Sequence, residues 1–131
     1  MDPQPAVAVI LAADPDAVAV YLFGSRARGD ARAESDMDLA VLGSAPFDPV
    51  ARFDLQERIA ERLRASVDLV DLRTASTVLR VQVLEHGVLL HEGDPGARAR
   101  FEAAALAAYA RLNEERRGIL EDVRRTGLVH G

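Results

Sequence analysis

The chain contains no cysteine, and its sixteen basic residues are all arginine, so lysine is missing as well. Without cysteine there is no disulfide, no thiol nucleophile and no thiolate metal site. Without lysine, a Walker-type phosphate loop and Schiff-base chemistry are excluded. No uninterrupted apolar run approaches the roughly 18 residues of a membrane span. The opening MDPQPAVAVILAADPD carries acids and prolines but no basic leader, so a cytoplasmic protein is expected. An excess of positive charge is absent too. The formal net charge of −5 argues against a broad nucleic-acid-binding face, which works by neutralising many phosphates. A local arginine cluster can still hold one nucleotide.

What is present describes a single globular domain over residues 1–131, with 49% hydrophobic and 28% charged residues. Proline and glycine divide it into short alternating elements. The pattern predicts a helix over 5–13, a buried strand over 17–23 ending at Gly24, and a second strand over 36–42. An amphipathic helix follows over 50–65, with apolar residues at 50, 53, 55, 59, 60 and 63. A third strand is expected at 67–72, a helix at 76–85 and a short edge strand at 88–91. The segment 97–125 reads as one long helix whose apolar stripe is Phe101, Ala105, Ala108, Tyr109, Leu112, Ile119, Leu120 and Val123, broken near Glu115 and Arg116. This stripe can cover the sheet or present part of itself to a partner. Alternating helices and strands predict an α/β or α+β fold.

Residues 24–41 read GSRARGDARAESDMDLAV. Along a strand, side chains alternate faces, so Asp36 and Asp38 emerge together, about 7 Å apart at their bases. Two close carboxylates repel unless a proton or cation intervenes. Mg²⁺ accepts one or two carboxylates and completes its shell with phosphate oxygens and water. The bland alternative is a pair of surface acids opening a strand. A calcium loop of the EF-hand kind is disfavoured, since Leu39–Leu42 replace its further oxygen ligands.

Gly24 and Ser25 lie where a buried strand hands over to a helix or loop. Glycine permits close backbone approach, and free N–H groups at a helix start attract anions. Arg26 or Arg28 can add a charged fork, although serine is also an ordinary N-cap. A third acid interrupts the apolar run VDLVDL. Asp68 and Asp71 both qualify by composition, and strand parity allows only one of them to face the pair.

Gly24-Ser25, ten residues and then Asp36-x-Asp38 before an apolar run resembles the signature of the polymerase-β-like nucleotidyltransferases, and SVDLVDL resembles the strand bearing their third carboxylate. The resemblance covers about residues 17–91, the expected catalytic core. It implies a small mixed sheet flanked by helices, a nucleoside triphosphate bound at Gly24, Ser25 and Arg26, two Mg²⁺ ions on Asp36 and Asp38, and Asp68 as the third ligand, helping to deprotonate an acceptor hydroxyl. Within that superfamily the short chain most resembles stand-alone minimal nucleotidyltransferases, commonly antitoxin partners of HEPN-domain RNases. This implies AMP transfer from ATP to a tyrosine of such a toxin. So small a core is expected to borrow its acceptor site from a partner or from a second copy. Neutralisation by binding alone, or modification of a small-molecule hydroxyl, are the competing readings.

His86 and His91 straddle a glycine break with no third ligand, and the first suits a helix C-terminus. Tyr109 reads as packing. Arg116-Arg117 and Arg124-Arg125 read as a solvated face.

Overall fold

The computed structural model describes residues 1–24, 27 and 36–126, with side chains as far as residue 122. Among the described residues the order is α1 (Gln4–Ala13), β1 (Ala19–Phe23), β2 (Met37–Leu42), α2 (Pro49–Leu63), β3 (Val67–Asp71), α3 (Thr77–His86), β4 (Val88–Glu92) and α4 (Pro95–Thr126). The strands form one mixed sheet in the order β3-β2-β1-β4. β1 is antiparallel to both neighbours, while β2 and β3 run parallel, joined by the α2 crossover.

The two sheet faces carry separate apolar cores, each made by one parity of the strands. Val20, Met37, Leu39, Val41 and Leu69 face α1 and α2, which contribute Ala6, Val7, Ile10, Leu55 and Ile59. Ala19, Tyr21, Ala40, Leu42 and Leu72 face α3 and the first turns of α4, meeting Val83, Leu79, Ala97 and Phe101. The predicted faces of the strands therefore hold, with ends displaced by one or two residues. Asp36 falls just before β2 rather than within it.

Helix boundaries follow their caps. Asp48 starts α2 by accepting from the amides of Val50 and Ala51 at 3.1 and 3.3 Å, and Pro49 occupies the first turn, where its missing N–H costs nothing. Ser76 caps α3 through the Leu79 amide at 3.2 Å. Edge strand β3 is protected by α2. Gln56 accepts from Leu69 N–H, and Arg52 donates to Leu69 C=O, both at 2.9 Å, so these outward backbone groups are satisfied without another strand.

α4 runs unbroken past the gap in its apolar stripe. Its start is anchored by Arg98, which donates to the Tyr21 hydroxyl at 2.9 Å and pairs with Glu92 and Glu102 at 2.6 and 2.8 Å. Burial raises the Tyr21 pKa against the opposing pull of Arg98. Phe101 and Ala105 pack on the sheet side, whereas Ile119 and Leu120 are 65% and 57% exposed. The first turns of the helix thus cover the sheet, as expected for one use of the stripe, and its described far end is left exposed. The Val123 side chain and those of Arg124 and Arg125 lie outside the described residues. No described helix is long and apolar enough to cross a membrane.

Candidate active site

β2 and β3 are in parallel register with Asp38 opposite Asp68, and β1 and β2 are in antiparallel register with Phe23 opposite Asp38. Asp68, Asp38 and Phe23 therefore form one row across three adjacent strands. Parity puts all three side chains on the α3 and α4 face, because Ala40 and Val70, two residues further along, pack there. Asp36 stands two residues before Asp38, of the same parity. Asp36 and Asp68 are exposed and Asp38 is half-buried.

Gly24 closes β1 beside this row. Its φ of +72° is a left-handed conformation that side chains disfavour, and a Cβ built there would run into the Asp38 carboxylate, with Cγ only 3.1 Å away. Backbone and carboxylate approach each other at this point only because residue 24 has no side chain. Ser25, Arg26 and Arg28, the other expected nucleotide-binding positions, lie outside the described residues.

The structure resolves the choice between the two acids of β3. Asp71 is 4% exposed and points to the opposite face. It accepts from the amides of Phe47 and Arg73, both at 2.9 Å, so it is spent on holding loops. Among the described residues Asp68 has no such partner. Asp36, Asp38 and Asp68 share a region, but their side chains do not converge into a cluster of three; like-charged carboxylates repel at short range.

Two hollows flank these acids. One, of about 450 Å³, is lined by Phe23, Gly24, Gln82 and His86. The other, of about 560 Å³, is bordered by Asp36, Glu57, Arg64, Ser66 and Val67. Sequence reading missed the first. Gln82 and His86 lie one turn apart on the exposed side of α3 and look like solvated helix surface until β1 is placed beside them.

Residues 6–96 match the family model described as polymerase beta, nucleotidyltransferase. The chain belongs to the polymerase-β-like nucleotidyltransferase family. The Shewanella oneidensis protein adenylyltransferase MntA is 41% identical over 104 residues, covering 79% of this chain and 74% of the relative. The probable protein adenylyltransferase MntA of Haemophilus influenzae is 39% identical over 74 residues, covering 56% of this chain and 65% of the relative. A toxin–antitoxin crystal structure with AMP-PNP contains a chain of TM-score 0.84 and 35% identity, with coverage of 95% and 99%. Another solved structure holds a tri-AMPylated Shewanella oneidensis HEPN toxin in complex with its MNT antitoxin, at TM-score 0.75 and 35% identity, with coverage of 92% and 94%. Nucleotidyltransferases of this family generally use a nucleoside triphosphate and a divalent metal.

Proposed function

We propose that this nucleotidyltransferase is a protein adenylyltransferase that moves AMP from ATP onto a tyrosine of a HEPN-type RNase partner and thereby silences it. The observation that carries the reading is the row Asp68–Asp38, set in register on adjacent strands, with the Gly24 backbone pressed against Asp38. That arrangement sets two carboxylates beside a point of close backbone approach, in a chain with no cysteine or lysine to act as a nucleophile. Its chemistry is therefore direct displacement at phosphorus.

The donor set fits Mg²⁺. Asp36, Asp38 and Asp68 are hard oxygen ligands, and a small octahedral cation takes few carboxylates and fills its shell with phosphate and water. Asp36 and Asp38 would hold two ions and Asp68 would share one. When bound, the cations supply neutralisation of charge on the transferred phosphoryl and the departing pyrophosphate. Gly24 admits the phosphate chain against the sheet. Asp68, at the sheet edge, orients the acceptor hydroxyl and receives its proton as the oxygen attacks the α-phosphorus. The new P–O bond forms as the bond to pyrophosphate breaks. Catalysis is then mainly positioning and charge neutralisation, which is why the chain manages without cysteine or lysine.

The test is incubation with ATP, Mg²⁺ and the HEPN protein, followed by mass spectrometry of the partner. One AMP mass per modified tyrosine is expected from the wild type, and none from Asp36→Asn with Asp38→Asn, at unchanged melting temperature and complex formation. If the double variant still neutralises the toxin fully, the protein acts by binding alone.

A further inference from the structure

We infer that Arg58, Arg62 and Arg64, at the end of α2, dock an acidic segment of the acceptor protein beside the carboxylate row. This inference rests on the adenylyltransferase reading and says how the acceptor is held.

Arg52, Arg73, Arg80 and Arg98 are spent on the fold, donating to backbone carbonyls or pairing with carboxylates. Arg58, Arg62 and Arg64 are not. All three are exposed, and among the described residues none of them makes a side-chain hydrogen bond or an ion pair. They border one hollow of about 520 Å³, whose lining is completed by Val9 and Glu61. Arg58 and Arg62 stand one turn apart on α2, where like charges repel, so the fold gains nothing from the pair. Arg64 costs the backbone as well. Its φ of +52° is left-handed, at a helix end where glycine is the unstrained choice. Three cations gathered against their mutual repulsion, without a partner in the fold, suit an anionic group from outside.

The place of the cluster says which group. Arg64 also borders the hollow shared by Asp36 and Ser66, on the α2 side of the sheet where β2 and β3 begin. Asp68 follows four residues later on the edge strand, with its side chain on the other face. Four residues of extended chain span at most about 14 Å. A standard interface covers about 800 Å² of each partner, a patch roughly 30 Å across. A protein that brings a tyrosine to Asp68 is therefore large enough to rest across the sheet's edge on the arginines too. Gly24 ends β1, beyond β2 from this cluster, so the arginines are no extension of the phosphate site.

Carboxylates are the match, because guanidinium forks bind them bidentately. Nucleic acid fits worse. Asp36, Glu57 and Glu61 interrupt the patch, and no aromatic ring lines either hollow for a base to stack on. The formal net charge of −5 also repels a long polyphosphate.

The experiment follows AMP transfer to the HEPN protein and, by calorimetry, the Kd of the complex, using the full chain with ATP and Mg²⁺. Arg58→Glu with Arg62→Glu and Arg64→Glu should raise KM for the partner and the Kd about tenfold or more, with kcat and ATP affinity unchanged. Wild-type kcat/KM should fall several-fold between about 0.1 and 0.5 M NaCl, and that of the triple variant should not. Arg64→Gly is the finer probe. It relaxes the left-handed backbone, so the variant should melt no lower than wild type while KM for the partner still rises about two- to fivefold. If the triple variant keeps the wild-type KM and Kd, the inference is wrong while the adenylyltransferase reading stands. A loss confined to kcat at saturating partner also overturns it, since docking precedes chemistry. Binding of oligouridylate that the triple variant abolishes, with KM for the protein unchanged, assigns the patch to nucleic acid instead. A wild type that transfers no AMP removes the adenylyltransferase reading, and the Kd of the complex, weakened or not by the triple change, then decides the docking surface alone.

Discussion

Asp68 and Asp71 stand three residues apart on β3, on opposite faces, and they do opposite things. Asp71 is buried and gives each carboxylate oxygen to a backbone amide. Its neighbours at that end of the sheet behave alike. Asp14 accepts from the amide and hydroxyl of Ser44, each at 2.9 Å, and Asp48 and Asp94 cap α2 and α4. At the other end, Asp68 and Asp36 are exposed, and among the described residues neither accepts a hydrogen bond or forms an ion pair. The difference is one of accounting for lone pairs. A carboxylate whose oxygens are taken up by the fold stabilises the fold, and one held in place with its oxygens open is available to a ligand.

Exchanging charge for neutrality at Asp68 should produce the largest contrast. Asp68→Asn keeps the shape but removes the charge and the ability to receive a proton. AMP transfer should fall by about 10² or more, the usual scale for loss of a positioned base. The melting temperature should stay within about 2 °C of wild type or rise slightly, because a like charge near Asp36 and Asp38 is relieved. A variant that lost stability while keeping its rate per folded molecule would dissolve the distinction.

The reverse experiment is Asp71→Ala. It leaves the Phe47 and Arg73 amides without an acceptor in a buried setting, at a cost of about 2–3 kcal/mol. Urea unfolding should show a lowered midpoint at constant slope. AMP transfer by the folded fraction should change less than twofold, since Asp71 points away from the row of Asp68 and Asp38.

The division between these acids was partly legible beforehand. Alternation put Asp36 and Asp38 on one face and Asp68 and Asp71 on opposite faces, because strand parity is a local property, but it left open which of the last two faces the pair. That Asp38 and Asp68 are register partners was beyond local reading. It depends on β2 and β3 being parallel neighbours, which the α2 crossover and both cores decide together. The pairing of Gln82 and His86 with Phe23 was hidden for the same reason. On α4 the apolar stripe is broken near Glu115 and Arg116, the described residues from 114 to 122 are exposed, and the helix nevertheless continues. Exposed Glu115, Arg116 and Arg117 form helix readily, so backbone bonding carries on without a core.

The smallest effect belongs to the acids that only finish helices, and it calibrates the rest. Asp48 is exposed and its carboxylate accepts from two first-turn amides of α2. Asp48→Ala should cost about 1 kcal/mol, the ordinary worth of an N-cap, because water can replace a surface acceptor as it cannot at Asp71. Calorimetry or urea unfolding would place the variant between wild type and Asp71→Ala. α2 carries Arg52 and Gln56, which cover the β3 edge, so fraying of its first turn also tests whether that edge matters to the site. With Asp68 held by the sheet register itself, transfer activity should be unchanged. A drop in rate out of proportion to the loss of stability would mean that the two ends of the sheet are coupled, and that α2 holds the position of Asp68 through the Leu69 hydrogen bonds.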